Sequence, residues 1–409
     1  MTEGPDNEAR PRSLDTTATR PLTDAIAEAE HILRSSPLCT SEQMLAEGLD
    51  YLAGSVRAII QSRQHSDRRF PLLSESTGPF TKMGLDNPDT IYYHANLVDG
   101  AEYLVEGVRG TTTDLSFQVL QGNYSASEVA GSATAFDDRD IEIAADGSFS
   151  FRMGPMRGEG APPEPGYLGL AEGSSILSIR EVFSDWDSET PGRIWLTRTD
   201  TLGEENPKSD VTPEAMGKFY ERAGKALVSR MHTWLAFPEW FFGEQEPNTF
   251  GAPRLTPGGL ATQYSSAGRF ALAPGQAMIV SVPNSDAPYQ GFQLGSPWYI
   301  SLEYVDQQTS LTSRQAHTTD GMIHMVLAAE NPGVANWIDT MGHAEGIMQF
   351  RWQRVSAPIT DDAGPTARLV YAADIATELP DFAEQKVTPE QWSERIAARR
   401  RAFARRMRS

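Results

Sequence analysis

The sequence predicts a mainly β protein with two jelly-roll-like antiparallel β-sandwich domains and with N-terminal, central and C-terminal helices. Two long regions carry short runs of β-branched and aromatic residues that alternate with polar residues, which is typical of half-buried strands. Gly, Pro and Asp separate these runs without intervening helical segments, which favours antiparallel sandwiches over a βαβ fold. Segments with helical periodicity precede, separate and follow the two regions.

The N-terminal part is predicted to begin with a disordered segment, residues 1–20, that is charged and without periodicity. Residues 21–65 then form a helical region, for which Thr23 and Ser41 are candidate N-caps. One face of its second helix is apolar, with Leu45, Leu49, Leu52, Val56 and Ile59 at helical spacing. Such a helix pair needs a larger apolar surface to cover.

The first β-sandwich domain is predicted over residues 66–202, where the clearest hairpin runs from 141 to 152 around Asp146-Gly147. Residues 203–258 follow as a helix, with Pro213 in its first turn and its end near 235, and a linker rich in Pro and Gly. The second β-sandwich domain is predicted over residues 259–375. The chain therefore predicts two sandwiches joined by a helix.

Residues 376–409 are predicted as a basic C-terminal helix. Its positive charges are Arg395, Arg399, Arg400, Arg401, Arg405, Arg406 and Arg408. Such a helix could bind nucleic acid or lipid, but the rest of the chain is acidic. We therefore expect it to dock on an acidic face of the same chain or of a second copy, which would make a homo-oligomer.

The composition excludes several classes of protein. The 409 residues carry a net charge of −20, which repels nucleic acid and anionic membranes, so neither is an expected partner. The N-terminus has no apolar core of the kind that a signal peptide requires, and the sequence contains no apolar stretch of membrane-spanning length. The single cysteine, Cys39, excludes an intramolecular disulfide and a zinc–thiolate cluster. Together these features predict a cytoplasmic protein.

Three segments together resemble a known bacterial family. They are the quoted stretches GLDNPDTIYY (84–93), IREVFSDW (179–186) and NPGVANWIDT (331–340). These segments resemble "domain of unknown function 1214", which is often found with a partner domain labelled 1254. Asn331 stands where the family usually has Asp. The resemblance spans most of residues 80–355 and implies a pair of jelly-roll-like β-domains, but it implies no particular activity.

Cofactor motifs are absent from the sequence. No G-x-S-x-G, Walker or G-x-G-x-x-G pattern occurs in a suitable setting, so no organic cofactor is predicted. The seven histidines show no HxH, HxxxH or HExxH spacing. His317, His324 and His343 lie in one predicted domain and are the candidate ligands of a non-local metal site. For His324, a place in the core or on the surface is the simpler explanation.

Two segments of the first domain carry candidate site residues. Tyr92 and His94 share one face of a predicted strand, where they could supply a proton donor and a base. A solvated polar face is the alternative. Arg180 and Trp186 could bind a carboxylate or a sugar, unless Arg180 pairs with Asp185. Arg109 of the Gly-Val-Arg-Gly stretch, and Trp298 of the second domain, are further candidate substrate contacts.

The segment from Asn331 to Gly346 contains many side chains that could take part in binding or catalysis. Asn331 and Pro332 predict the start of a short helical turn that Trp337, a candidate substrate contact, anchors. Asp339 is expected to pair with Arg351 on the next strand, although both are also candidate site residues. His343, which lies between glycines, and Glu345 are left without a structural explanation, and His343 is a candidate catalytic residue that points either into a cleft or out to water.

Two functional hypotheses follow. The first is an enzyme that acts on a hydrophobic or glycosylated small molecule by His and carboxylate acid–base chemistry, as a lyase, isomerase or hydrolase. The second is a non-catalytic jelly-roll protein that binds a carbohydrate or lipid. An enzyme should bring a histidine and a carboxylate together in one pocket, whereas a binding protein should present aromatic side chains without such a pair.

Overall fold

The computed structural model describes residues 17–65, 67–122, 130–158, 164–204, 211–256 and 262–407. These residues form two β-sandwiches, each built from two sheets, together with helices that precede, separate and follow them. The predicted fold class is therefore confirmed. Throughout the described ranges, each helix is too short or too polar to cross a lipid bilayer.

The first sandwich pairs a five-stranded sheet with a four-stranded one. Its strands are β1 (Ser74–Thr77), β2 (Thr90–Asn96), β3 (Tyr103–Val108), β4 (Asp114–Gln121), β5 (Gly131–Asp137), β6 (Ser148–Pro155), β7 (Tyr167–Leu170), β8 (Ser174–Val182) and β9 (Arg193–Arg198). The sheet orders are β1-β2-β8-β4-β5 and β7-β6-β3-β9. Phe117 stacks on Phe136 at 4.9 Å and meets Phe151 edge-on at 5.3 Å between the sheets, which fills the core.

The second sandwich has the same architecture. Its strands are β10 (Arg254–Leu255), β11 (Tyr264–Ala271), β12 (Gln276–Pro283), β13 (Tyr289–Gly295), β14 (Ser310–Thr312), β15 (Met322–Ala328), β16 (Trp337–Asp339), β17 (Glu345–Gln353) and β18 (Thr366–Tyr371). The sheet orders are β10-β11-β17-β13-β14 and β16-β15-β12-β18. Along β17, Met348, Phe350 and Trp352 face the core while Gln349 and Arg351 point to the opposite face, as strand alternation requires.

The helices cover the outer surfaces of the sandwiches. They are α1 (Arg20–Ser35), α2 (Glu42–His65), α3 (Pro213–Phe242), α4 (Ile375–Glu378), α5 (Phe382–Gln385) and α6 (Pro389–Arg406). Ser41 caps α2, because its Oγ accepts from the Met44 N–H at 3.1 Å, whereas α1 begins after Thr19 and contains Thr23. Trp298 of the second sandwich packs into the core of α1, α2 and α3 and donates to the Met44 carbonyl at 2.8 Å. This contact fixes α2 on the second sandwich.

The end of α3 lies seven residues beyond the predicted position near 235, because the helix runs through Pro238 to Phe242. Proline lacks the N–H that would bond the carbonyl four residues earlier, so the interior of a helix normally avoids it. Phe237 offsets this cost, because its ring contacts Trp234, Trp240 and Phe241 at 4.7–5.6 Å. The segment FPEWFF, predicted as linker, is thus the aromatic end of a helix.

The predicted helical turn after Asn331 is also wrong. Trp337–Asp339 forms β16, which pairs in parallel with β15. The apolar spacing of Val334, Trp337 and Ile338 fits one helical turn, but all three side chains are buried by packing against different layers of the sandwich. Tertiary packing therefore overrides the local pattern.

A buried carboxylate joins the two sandwiches. Asp89, which is 1% exposed, precedes β2 in the first sandwich. Its Oδ1 accepts from the Trp186 indole at 2.7 Å, and its Oδ2 accepts from the hydroxyl of Tyr289 in the second sandwich at 2.8 Å. Asn87 donates to the same hydroxyl at 2.9 Å. These bonds fix the position of one sandwich against the other.

Helix α6 closes over this junction. The Arg399 and Arg406 guanidinium groups lie 4.1 Å and 4.4 Å from the centre of the Trp186 ring. Arg406 donates to the Pro88 carbonyl at 2.5 Å. At the surface Arg400 pairs with Asp306, and Arg405 with Asp187. The basic helix thus docks on its own chain, while a homo-oligomer through it stays a prediction.

We expect Tyr289→Phe to destabilise the protein by about 1–3 kcal/mol, because it leaves a buried Asp89 oxygen and the Asn87 amide without their shared hydroxyl. Urea unfolding followed by circular dichroism measures the change. Tyr371→Phe is the matched control, because that ring is 67% exposed and should change stability by less than about 0.5 kcal/mol. Equal stability of the two variants would contradict the role of the Tyr289 hydroxyl.

Candidate active site

His343 lies in a tight turn between β16 and β17. Met341 and Gly342 precede it with φ angles of +54° and +78°, and the His343 N–H donates to the Thr340 carbonyl at 3.0 Å. A positive φ is unfavourable for methionine and common at functional sites, where surrounding contacts hold the strained backbone. Those contacts come here from α2, because the Gln43 amide donates to the Met341 carbonyl at 3.0 Å. The turn therefore presents the imidazole in one orientation, with 7% of the residue exposed.

A glutamate faces this histidine. The Glu47 Oε1 lies 2.7 Å from the His343 Nε2, and Gln43, one turn earlier on α2, donates to the same carboxylate oxygen at 3.1 Å. A carboxylate accepts only, so the neutral imidazole carries its proton on Nε2 toward Glu47. The Nδ1 then has a free lone pair, and no hydrogen bond joins it to another described residue. Such a pair can take up a proton and stabilise the resulting imidazolium.

Two clefts adjoin the His343–Glu47 pair. The first, named the polar cleft after the side chains of Ser41, Gln43, Asn248, Gln276 and Glu345 beside His343, has a volume of about 660 Å³. Its lining also includes apolar side chains, among them Met44, Leu272, Pro297 and Leu369. The second, named the apolar cleft after Phe80, Ile300, Leu302, Tyr304 and Phe403, has a volume of about 700 Å³ and includes Glu47 in its lining. Charged side chains also line it, namely Asp50, Lys82, Glu303, Asp306 and Arg400. The pair thus contributes one member to each cleft.

A half-buried lysine lies in the wall of the apolar cleft. The Lys82 ammonium donates to the carbonyls of Ser301 and Leu302 at 2.9 and 2.8 Å and lies 5.0 Å from the centre of the Tyr304 ring. Burial lowers the pKa of Lys82, while the nearby Asp86 carboxylate raises it. Its two carbonyl contacts hold the loop of the cleft in place.

Tyr92 and His94 share one face of β2, yet they do not form a proton-transfer pair with a carboxylate among the described residues. The Tyr92 hydroxyl accepts from the Asn87 N–H at 2.9 Å, and the His94 ring meets the hydroxyls of Ser76 and Ser178 at 2.5 and 3.3 Å. Burial, with a smaller contribution from Arg180, lowers the pKa of His94 from 6.5 to about 4. His94 is therefore a neutral, hydrogen-bonded part of the sheet face.

The two candidate arginines of the first domain have different settings. Arg109 donates to Asp138 at 2.7 Å and to the Thr112 hydroxyl at 2.6 Å, in a cluster that Arg354 of the second sandwich also joins. It therefore holds loops and domains together. Arg180 lies beside Tyr92 on the neighbouring strand. The expected pair between Arg180 and Asp185 does not form, because Asp185 accepts from the Asp187 N–H and the Ser188 hydroxyl.

The three candidate tryptophans are buried, and each indole N–H already donates to a protein acceptor. Trp186 donates to Asp89, and Trp298 donates to the Met44 carbonyl. Trp337 donates to the Ala328 carbonyl at 2.9 Å and packs on Trp392 at 5.0 Å. These side chains stabilise the structure and offer no open platform for a sugar.

Asp339 and Arg351 are not partners. The Asp339 carboxylate accepts from the Met341 N–H at 2.7 Å, and burial raises its pKa. It lines neither cleft. Arg351 instead donates to the Leu85 carbonyl at 2.7 Å and to the Gln293 amide, on the opposite side of β17 from the sandwich core. The predicted staple between them is wrong.

The three histidines proposed as metal ligands do not converge. His317 contacts the Thr319 hydroxyl at 3.0 Å, and His324 contacts the Ser281 hydroxyl at 2.7 Å, whereas His343 faces Glu47. Within the part of the chain that the structure describes, no three His, Cys, Asp or Glu residues gather into a metal-binding group.

Sequence reasoning missed Glu47 and Gln43. Both lie on α2 and are separated from His343 by about 300 positions, so no local motif connects them. Their four-residue spacing does place them on one helix face. That face lies beside Met44, which packs in the core between the helices. The only sequence signal for Gln43 and Glu47 was therefore their position next to the apolar face of an amphipathic helix.

We expect stability to fall as the pH decreases from 6.5 to about 4, because the unfolded state takes up a proton on His94 that the folded state excludes. Above 6.5 this contribution is fully present. The pKa difference of His94 between the unfolded and folded states corresponds to a loss of at most about 3 kcal/mol in the free energy of unfolding. Urea unfolding at several pH values measures it in wild type and in His94→Asn, which should reduce this loss. His232→Asn, at an exposed position, is the control. Identical pH profiles for wild type and His94→Asn would contradict the prediction.

Comparisons with known proteins support the fold. No family model matches the chain, and no curated protein matches it. Among solved structures, an uncharacterised protein from Burkholderia cenocepacia is similar, with a TM-score of 0.74 and 25% identity over 88% of this chain and 99% of that chain. A protein from Vibrio parahaemolyticus aligns with a TM-score of 0.41 and 11% identity over 87% and 100% of the two chains, which is too low to carry an argument. The chain thus has the overall fold of the Burkholderia cenocepacia protein.

Proposed function

We propose that the protein is an enzyme that transfers protons on a small molecule, with His343 and Glu47 as its acid–base pair and without an organic cofactor. The observation that carries this proposal is the 2.7 Å contact between the Glu47 carboxylate and the His343 Nε2 at the boundary of two clefts. A histidine oriented by a carboxylate is a common arrangement for general acid–base catalysis.

The two members of the pair have different roles. In a lyase or isomerase, His343 removes a proton from the substrate with Nδ1 and returns it to the leaving group or to another atom of the substrate. In a hydrolase, it takes the proton from the attacking water and gives it to the leaving group. Glu47 holds the ring through Nε2 and stabilises the imidazolium that forms. Glu47 is a positioning residue in this scheme, and Gln43 holds its carboxylate in place.

The clefts indicate the class of substrate. The polar cleft offers the Ser41 hydroxyl hydrogen, the Gln43 Oε1 and the Gln276 Nε2, none of which bonds another described residue, and these groups suit a sugar or another polyol. Asn248 also lines the cleft, but both of its amide atoms bond Ala271. The apolar cleft beyond Glu47 suits a hydrophobic group. We therefore propose a glycosylated or polyhydroxylated molecule with an apolar part. Membership of the 1214 family and a cytoplasmic location remain proposals that rest on the sequence.

A binding protein without catalysis is the second candidate. The feature that favours it is the rim of the apolar cleft, where Phe80 is 59% exposed and Met407 is 38% exposed. Exposed apolar side chains around a cleft are typical of sites that bind lipids or hydrophobic ligands. In that case, His343 would only secure the turn against α2.

The test is proton exchange into deuterium oxide, followed by NMR, for a panel of reducing sugars, sugar acids and alkyl glycosides. We expect at least one compound to exchange a carbon-bound proton or react, and His343→Asn to slow that reaction by roughly 10²–10⁴-fold. Glu47→Gln should slow it less, since it retains an acceptor for Nε2. Glu42→Gln is the control, because Glu42 is exposed at the start of the same helix.

The binding alternative predicts a different result. Ligands would then bind to wild type without turnover, and His343→Asn would bind them with similar affinity. Reaction rates that are equal in wild type and His343→Asn would overturn the catalytic role of the pair. Circular dichroism of each variant checks that the fold is retained, because His343 is largely buried.

A further inference from the structure

A further pocket lies between the end of α3 and the second sandwich, and it shares no lining residue with the polar or the apolar cleft. Its volume is about 190 Å³, which suits a ligand of roughly ten non-hydrogen atoms. One wall is aromatic and comes from α3 and from Tyr299. The other wall is polar and comes from the outer face of β10, β11 and β17.

The aromatic wall is preorganised. Phe237 packs against Trp234 at 4.7 Å and against Tyr299 at 5.8 Å, and Phe241 lies 5.6 Å from Phe237. Together these rings form one apolar wall against which another ring can stack.

The polar wall carries two arginines in one row. Arg254 of β10 lies opposite Ser265 of β11, which lies opposite Arg351 of β17. Residues directly opposite each other on neighbouring strands share a sheet face, with strands about 4.8 Å apart. The two guanidinium groups therefore extend from positions about 10 Å apart on the same face.

The charges of this row are not neutralised within the pocket. Arg351 donates to the neutral Leu85 carbonyl and the Gln293 amide, and no ion pair of either arginine is found among the described residues. None of the described residues that line the pocket is acidic. Asp86 lies near Arg351, but its carboxylate accepts from the N–H and hydroxyl of Ser301 at 3.1 and 2.8 Å.

Two further observations point to a ligand. Gln349 lines the pocket, and its Oε1 is buried without a hydrogen-bond partner among the described residues. A buried acceptor of this kind costs free energy unless something donates to it. The backbone beside the pocket is strained, because Leu85 and Tyr299 have φ angles of +52° and +60°. Unfavourable conformations of this kind concentrate at binding sites.

We propose that this pocket binds a small aromatic carboxylate. The ring of the ligand stacks against the cluster formed by Trp234, Phe237 and Tyr299, on the side that faces the pocket, and the carboxylate lies against Arg351 and Arg254. A polar substituent on the ring can donate to Gln349. A neutral aromatic molecule would stack on the rings but would not pair with the two guanidinium groups. A planar aromatic carboxylate stacks on the rings and also pairs with the guanidinium groups.

Benzoate is the probe, and benzamide is its neutral equivalent of the same shape. Binding is measured by isothermal titration calorimetry and by tryptophan fluorescence, because Trp234 lines the pocket. We expect saturable benzoate binding with a Kd of about 0.1–10 mM, as is usual for a ligand of this size. Benzamide should bind at least about 10-fold more weakly, and added salt should weaken benzoate binding.

Two variants locate the site without removing a structural bond. Arg254→Gln should weaken benzoate binding by about 5–10-fold, since Arg254 is exposed and its charge faces the pocket. Ala267→Leu should abolish binding by filling the pocket while the charge is unchanged. Arg193→Gln, an exposed arginine on β9 of the other sandwich, is the matched control and should bind as wild type does.

Three results would overturn the proposal. They are the absence of binding at about 20 mM benzoate, equal affinity for benzoate and benzamide, and binding that neither Arg254→Gln nor Ala267→Leu weakens. The test of benzoate binding is independent of the proposed catalysis, because His343→Asn should leave benzoate binding unchanged. Thermal unfolding of each variant shows that a loss of binding does not come from a loss of structure.

Discussion

The buried Asp89 carboxylate is the interaction on which the arrangement of the molecule depends. It accepts from Trp186 in one sandwich and from Tyr289 in the other. Burial raises the pKa of Asp89, while the Tyr289 hydroxyl and the two nearby arginines lower it. Removing a charge from water is costly, so buried pairs contribute more to a single defined geometry than to net stability. The apolar cleft lies beside this junction, because Tyr304 and Phe403 in its lining pack against Trp186.

The basic helix α6 packs against the rest of a chain that is strongly acidic. The chain carries a net charge of −20, and α6 places its arginines against carbonyls, the Trp186 ring and acidic side chains of the same molecule. Arg399 has a pKa lowered to about 10 by burial, yet it stays charged at neutral pH. The arginine-rich sequence of α6 is compatible with binding an external anion, but in the structure the helix packs on its own chain. Charge patterns locate such a helix but do not identify its partner.

The sequence predicts the sandwiches well because strand alternation and turn residues are local signals. Its errors arise where distant packing decides the result. Val334, Trp337 and Ile338 fit a helical turn in isolation, but β15 draws the segment into a sheet. Pro238 suggests a linker, but the rings around Phe237 keep α3 intact. Of the candidate site, His343 was predictable from its flanking glycines, whereas Glu47 became visible only once α2 was placed beside that turn.

The attachment of α2 by Trp298 also orders events during synthesis. Glu47 leaves the ribosome 296 residues before His343, and the surface that receives α2 belongs to the second sandwich. At ordinary rates of translation this interval lasts roughly 15–60 s. During that time α2 can pack against α1, β1 and, later, α3, but not against Trp298. The contact of α2 with Trp298 and the His343–Glu47 pair can therefore form only after most of the second sandwich has been synthesised.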